Sequence, residues 1–139
     1  MNIPEANDYI QLYFNTAWSA SGNPYSSIPV LFDNDETEVP NNESFVRISI
    51  KYRKSKQNSL GMKTLRKFGR YGFISFQVFV LGGTGTYTGS NICQKIIDIF
   101  EGEGFDGVDF EAGYFTPTGK DEIWFQYNGI IDFWFEETK

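Results

Sequence analysis

The stretch from Tyr71 to Glu101, YGFISFQVFVLGGTGTYTGSNICQKIIDIFE, decides the fold. Its first part places large apolar residues at every second position, namely Ile74, Phe76, Val78 and Val80. A period of two in β-branched and aromatic residues predicts a strand with one apolar face. The glycine-rich segment from Gly82 to Gly89 then predicts a sharp turn of the chain.

The last part of this stretch changes its period from two to three and four. Its apolar residues are Ile92, Cys93, Ile96, Ile97 and Phe100. Residues at that spacing share one face of a helix. The pattern predicts a helix that has Ser90 as its N-cap and ends before Gly102. Because an apolar helix face follows an apolar strand face, we expect this helix to cover the sheet.

Three further elements precede this stretch. Residues 2–20 carry an apolar stripe at helical spacing around Pro4, which predicts an N-terminal helix. Ile28 to Phe32 predicts a short strand, and Pro29 favours an edge position. The alternation from Phe45 to Arg53 predicts another strand. Its inward side chains would be Val46, Ile48, Ile50 and Tyr52.

The basic segment at residues 54–68 lies between two predicted strands that can pair antiparallel. It therefore predicts a long β-hairpin with a mobile tip near Ser59 to Lys63. Connections of this length in a small domain are usually functional or disordered.

The C-terminal part predicts a second antiparallel pair of strands, Gly107 to Phe115 and Ile123 to Phe135, joined by a turn at Thr116 to Lys120. Gly129 interrupts the second alternation and predicts a bulge. The inward side chains of that strand would be Ile123, Phe125, Tyr127, Ile131, Phe133 and Phe135. Trp124, Ile130 and Trp134 fall on the outer face, which predicts that the N-terminal helix or a partner covers that face.

These elements together predict an α+β fold: a mainly antiparallel sheet of about five strands, two helices and a long hairpin, in one domain over residues 1–139. The length of 139 residues is enough for one substantial core. One cysteine excludes an intramolecular disulfide and fits a reducing compartment. The sequence shows neither a charged-then-apolar N-terminal signal nor an apolar run of about 20 residues, so we expect no classical secretion and no membrane insertion.

Charge is divided into three blocks along the chain. Residues 1–46 hold seven acids and no Lys or Arg, residues 47–70 hold nine of the twelve basic residues and no acid, and residues 71–139 hold eleven acids and three lysines. A molecule with one basic region and acidic faces suits head-to-tail contacts between identical copies. The alternative is a solvated hairpin that serves solubility.

The sequence argues against an enzyme and against a bound cofactor or metal. It contains no histidine, which removes Ser-His and Cys-His nucleophile pairs and the commonest transition-metal ligand. Cys93 falls on the inner helix stripe, where we expect core packing. The glycine-rich segment lacks the Walker lysine and the third glycine of a dinucleotide fingerprint, and Asp33 to Glu38 lacks the central glycine of a calcium loop.

The order of motifs resembles one family. The motifs are Ile28 to Val30, Phe45 to Ile50, Arg70 to Gly85, Ile92 to Glu101 and Trp124 to Asn128. In this order they resemble the tail-terminator proteins of long-tailed bacteriophages and the small neck proteins related to them. The resemblance spans nearly the whole chain and depends on apolar spacing and a few glycines. The long basic hairpin departs from the family pattern.

This resemblance implies a mixed α/β fold, a hexameric ring at the head-proximal end of the phage tail, and no catalysis. The implied partners are other copies of the chain, the tail tube protein and a head-connector protein, with DNA only as cargo that passes through the ring. The implied location is the tail or neck of the virion, and the host cytoplasm during assembly.

Charge and resemblance together suggest that the basic hairpin contacts an acidic face of a neighbouring copy or of the tube. The candidate basic residues are Lys51, Arg53, Lys54, Lys56, Lys63, Arg66 and Lys67. The candidate acidic residues are Asp33, Asp35, Glu36 and Glu38, or Asp109 and Glu111.

Three alternatives stay open on the sequence. The first is that the chain is another neck component, such as a head-completion or connector-adaptor protein. The second is that it is a non-catalytic nucleic-acid-binding module that uses the basic hairpin. The third is that it is a small enzyme that works through carboxylates alone, a class disfavoured by the missing motifs.

Overall fold

Two helices lie on one face of a six-stranded sheet in the computed structural model, which describes residues 1–33, 40, 43–83, 86–105, 107–121 and 123–139. The helices are α1 (Ile3–Trp18) and α2 (Thr86–Phe100). The strands are β1 (Val30–Phe32), β2 (Phe45–Gln57), β3 (Lys67–Leu81), β4 (Gly104–Phe105), β5 (Val108–Asp121) and β6 (Trp124–Thr138).

The strands lie in the order β1-β2-β3-β6-β5-β4. β1 pairs with β2 in parallel, and the other four pairs are antiparallel. β1 lies at an edge of the sheet, the position that Pro29 predicted. The predicted α+β class is therefore confirmed, with the two-residue β4 as an added strand. The long hairpin is also confirmed, since β2 and β3 pair from Phe45 opposite Phe79 to Gln57 opposite Phe68.

One hydrophobic core fills the space between the helices and the inner face of the sheet. Ile74, Phe76 and Val78 of β3 are fully buried there, as their alternation predicted. The helices contribute side chains at helical spacing, namely Ala6, Ile10, Phe14 and Trp18 from α1 and Ile92, Cys93, Ile96, Ile97 and Phe100 from α2. Because α1 contributes to this inner core, the alternative that it covers the outer face is wrong.

The first turn of helix α1 is stabilised by its N-cap residue, Asn2. The Asn2 side chain accepts a hydrogen bond from the backbone N–H of Glu5, at 2.9 Å, and so satisfies one of the free donors of the first turn. Pro4 lies in that same turn, where its missing N–H costs nothing.

Helix α2 begins at Thr86, one turn before the predicted N-cap, so Ser90 lies inside the helix. This first turn of the helix lies close to the sheet. A Cβ atom at Gly89 would clash with the ring of Tyr127 on β6. The glycine thus allows helix–sheet contact and not only the turn of the chain, and a period-based prediction does not contain that information.

The predicted turn at Thr116 to Lys120 is also wrong, because β5 continues to Asp121. The strand accommodates Pro117 and Gly119 by a shift in its register with β6 between these two residues, and Gly119 has φ +107°. The actual turn leaves Ile123 45% exposed instead of on the inner face.

Gly129 does not form a bulge, since β6 stays in register with β3 through the pair Phe76–Gly129. The odd-numbered residues of β6 face the core without interruption, and Gly129 is one of them. A Cβ atom there would clash with the Phe76 ring, so the glycine supplies the space that this phenylalanine fills.

Candidate interaction surface

The outer face of the sheet carries aromatic side chains that neither helix covers. Tyr71 of β3 and Trp134 of β6 are register partners, and their rings stack with centroids 6.2 Å apart and an interplanar angle of 18°. Tyr114 of β5 is 62% exposed on the same face. Near the opposite end of the strands, a small separate cluster fills this face with Leu31, Phe45, Phe79 and Trp124.

Cationic side chains of β2 lie over these aromatic rings. The Arg53 guanidinium carbon lies 4.7 Å from the centroid of Phe73, and the Lys54 ammonium lies 5.1 Å from that of Tyr71. Both contacts lie in the range of a cation–π attraction. They follow a register shift between Tyr52 and Lys54, which turns two successive basic residues toward the same face.

Arg53 also forms an ion pair with Asp132, with Arg53 Nη2 3.3 Å from Asp132 Oδ1. That oxygen is shut off from solvent and makes no hydrogen bond to a described residue. The pair therefore neutralises charge without a well-formed hydrogen bond. Beside it, Glu111 and Lys54 line an open cleft of about 320 Å³ together with Tyr71 and Phe133.

The hairpin ends in a tip, residues 58–66, that exposes large apolar side chains. Leu60, Met62 and Leu65 are 98%, 77% and 64% exposed. A tight turn holds the tip, with the Leu65 N–H donating to the Met62 carbonyl at 2.9 Å. Thr64 in that turn has φ +79°, a conformation that costs free energy for a β-branched residue. The prediction that the tip is mobile stays a prediction.

Of the predicted basic residues, two pair within the chain. Arg53 contacts Asp132, and Lys67 Nζ lies 3.8 Å from Glu136. A third cation of the same block, Arg70, donates to Glu137 at 3.0 Å. Arg66 donates to the C-terminal residue at 3.3 Å. The remaining predicted cations are lysines that make no ion pair to a carboxylate in the described ranges: Lys51, Lys54, Lys56 and Lys63.

The predicted acidic residues are scattered. Asp33 accepts a hydrogen bond from Ser49 Oγ at 2.8 Å, whereas Asp35, Glu36 and Glu38 lie outside the described residues. Asp109 is exposed on β5 opposite Trp134. Glu111 lines the same cleft as Arg53 and Lys54 of its own chain. It therefore shares this cleft with two cations of its own chain.

Sequence reasoning missed the apolar part of this surface. Leu60, Met62 and Leu65 fit neither a period of two nor a helical period, so they carried no prediction of a face. Their signal was the occurrence of large apolar residues inside a basic segment with no element to bury them. The Tyr71–Trp134 stack was equally hidden, because it depends on the register of two strands 63 positions apart in sequence.

The described residues include one cysteine, Cys93, and no histidine. No group of three or more metal-ligating side chains occurs among them, and none of their helices is long and apolar enough to cross a membrane. Cys93 is fully buried, and burial raises the pKa of its thiol from 9.0 to about 12. Its thiolate, the reactive form, is therefore scarce at neutral pH.

Comparison with known proteins reaches the fold and no further. No family model matches the chain, and no curated protein matches it. One solved structure, of a protein designated only by a sequence identifier, matches 96% of this chain and 96% of its own, with a TM-score of 0.63 and 12% sequence identity. At that identity the likeness shows a shared fold alone.

Proposed function

We propose that this chain is a structural protein of a bacteriophage neck, similar to the tail terminators. Copies would assemble into a ring, in the family a hexamer, that caps the head-proximal end of the tail tube and joins the tail to the head connector. The observation that carries the proposal is the hairpin: a basic arm with a bare apolar tip on an otherwise acidic chain.

The distribution of charge supports assembly from identical copies. The block at residues 47–70 holds nine basic residues and no acid, while the rest of the chain holds all eighteen acids and three lysines. Surfaces of opposite charge on one molecule attract between copies and repel when like meets like. A contact between two different surfaces repeats around an axis and closes a ring when the rotation allows it.

Reversal of the hairpin charge tests this proposal. The variant Lys63→Glu, Arg66→Glu, Lys67→Glu should lose ring formation and tail joining. It should keep the fold, since the exposed Lys67–Glu136 pair contributes at most about 1 kcal/mol. The measurement is native mass with and without tail tubes, beside circular dichroism.

The control reverses one exposed charge away from the hairpin arm, as in Lys120→Glu, and is compared with Lys63→Glu alone as well as with the triple variant. The Lys120→Glu variant should assemble as the wild type does. Unchanged rings and unchanged tail joining in the triple variant would refute the proposal.

A second function has one specific observation in its favour. A stacked aromatic pair beside lysine, as at Tyr71, Trp134 and Lys54, is an arrangement that binds unpaired nucleic-acid bases. Asp132 and Glu136 on the same strand oppose it, because they repel phosphate. Salt-dependent binding of single-stranded DNA that is lost in Trp134→Ala would support this alternative. If the protein does not bind single-stranded DNA at low salt, this alternative is refuted and the proposed neck function remains.

A further inference from the structure

We propose that the hairpin tip of one copy docks in a cleft on the helix layer of a second copy. The inference rests on the proposed function and specifies its contact. In place of the acids predicted from the sequence, it names a cleft between α2 and the loop that follows α1. The tip would insert its apolar side chains there, and its lysines would face the acidic helix layer around the cleft.

The tip has the character of an inserted anchor. Leu60 is 98% exposed and Met62 is 77% exposed, and both stand beyond the last paired residues of β2 and β3. Large apolar side chains held in water are unfavourable, and well-packed interfaces remove such anchors from solvent. The hydrogen bond from the Leu65 N–H to the Met62 carbonyl closes a tight turn within the tip, and each residue held by such a turn loses less entropy on docking.

The receiving cleft has a volume of about 320 Å³. Its apolar walls come from Pro24 and Tyr25 on one side and from Tyr87, which is 81% exposed, on α2. Asp98 closes the far end of the cleft and accepts a hydrogen bond from Gln94 Nε2 at 2.8 Å. Its α2 residues recur at helical spacing, so the cleft runs along one face of the helix.

Charge favours this cleft over the one on the outer face. The helix layer exposes acids on α1, on α2 and just after α2, with Lys95 as the basic residue among them: Glu5, Asp8, Asp98, Glu101 and Glu103. The outer cleft, in contrast, already holds Arg53 and Lys54 of its own chain beside its two carboxylates, Glu111 and Asp132, so it offers a basic tip no excess of negative charge. Opposite charge therefore directs Lys56, Lys63 and Arg66 to the helix layer of a neighbour.

The two surfaces cannot meet within one copy. The tip extends from the Lys67 end of β3, whereas α2 begins just beyond the Leu81 end. A strand of that length spans roughly 45 Å at a rise of about 3.3 Å per residue. The contact must therefore join different copies, and because it joins unlike surfaces, each docked pair still offers one free tip and one free cleft.

Site-directed crosslinking tests the contact. Copies carrying Leu60→Cys, mixed with copies carrying Tyr87→Cys, should form a disulfide-linked dimer under mild oxidation. Buried Cys93 should not interfere, because burial suppresses its thiolate. The control pairs Leu60→Cys with Tyr114→Cys, which is 62% exposed but lies on the outer face. Crosslinking of the control pair equal to that of the test pair would overturn the proposal.

A mixing experiment then tests the two surfaces separately. Leu60→Ser with Met62→Ser should weaken self-association by about tenfold or more, as expected for loss of an interface anchor. Tyr87→Ser with Asp98→Lys should do the same. Because each variant keeps one intact surface, the mixture should stop at a dimer of one copy of each, visible by native mass spectrometry.

The outcomes separate this inference from the function beneath it. If the tip variant fails to assemble while the cleft variant assembles normally, the cleft is the wrong receptor and the neck function stands. If the wild type is monomeric at all concentrations and ignores tail tubes, both fail. Tip-dependent sedimentation with phosphatidylserine vesicles, without self-association, would identify an anionic membrane as the occupant and would also overturn the proposal.

Discussion

The two faces of β3 differ in what surrounds the same residue type. Phe76 is fully buried beneath the helices and lies against Gly129, while Phe73, three residues earlier, is half-buried on the outer face beneath Arg53. The inner face gains its free energy by excluding water from a shared core. The outer face keeps apolar rings partly in water and covers them with long charged side chains. A surface of that kind is available to a partner without unfolding the domain.

The same contrast appears between two ion pairs. Arg70 and Glu137 lie on the inner side near the hairpin, with side chains 12% and 14% exposed. Arg53 and Asp132 lie on the outer face, at 52% and 39%. The attraction between two opposite charges is stronger where water is scarce. Removal of one partner then destabilises the fold more, because the other charge is left buried without compensation.

The largest expected effect compares the two phenylalanines directly. Phe76→Ala should lower the free energy of unfolding by about 3–5 kcal/mol, because it removes a buried ring and leaves a cavity. Phe73→Ala should cost clearly less, since that ring is partly in water already and the Arg53 stem can move over the gap. Urea denaturation of both variants measures the difference. Equal losses would show that the outer face is as much a core as the inner one.

Much of the inner face could be predicted from sequence, because the local spacing of apolar residues identifies which of them are buried. Alternation in β2 and β3 and the helical stripe of α2 each identify their buried residues without knowledge of the neighbouring element. The failures occur where the cause is a distant residue. Gly89 and Gly129 serve the rings of Tyr127 and Phe76, and no local pattern records those contacts.

The candidate surface was less predictable for the same reason. The basic composition of the hairpin was visible, but which cations remain without a carboxylate depends on the register of β6 against β3. Lys67 lies near Glu136 because residues 67–81 pair with residues 124–138, and Arg53 lies near Asp132 because β2 in turn pairs with β3. Side chains that the described part of the chain leaves largely exposed, such as those of Leu60 and Met62, then become the informative ones.

The next effect in size separates the two ion pairs. Glu137→Gln should lower the free energy of unfolding by about 1–3 kcal/mol, because it weakens a charge-assisted hydrogen bond and leaves Arg70 poorly compensated. Asp132→Asn should change it by less than about 1 kcal/mol, as for exposed pairs in general. Thermal unfolding at low and high salt provides the measurement, and the Asp132 effect should shrink at high salt.

A reversed order, with Asp132→Asn the more damaging variant, would contradict this account of the two faces. It would mean that the solvent-shielded Oδ1 atom of Asp132 is a structural acceptor rather than part of an accessible surface.

The smallest effect concerns Tyr52, which lies where the covered core meets the hairpin. Its ring packs edge-on against Phe133, and its hydroxyl donates to Asn7 Oδ1 at 2.7 Å. Tyr52→Phe should cost about 0.5–1.5 kcal/mol at neutral pH, the usual contribution of one hydrogen bond. Asn7→Ala is the matched control, since it removes the acceptor and keeps the phenol.

The pH dependence then distinguishes these two variants. Burial raises the pKa of Tyr52 from 10.0 to about 12, so the folded state favours the protonated phenol. The stability this supplies is complete below pH 10 and is lost as the pH rises toward 12. Tyr52→Phe should therefore lose stability less steeply than the wild type across that window, whereas Asn7→Ala keeps the titrating group and the steep fall.

Cys93 adds a loss of stability that begins near pH 9 in all three proteins, because burial raises its pKa from 9.0 to about 12. Parallel curves for the wild type and Tyr52→Phe would mean that the phenol is solvated, and the covered core would then end before Tyr52.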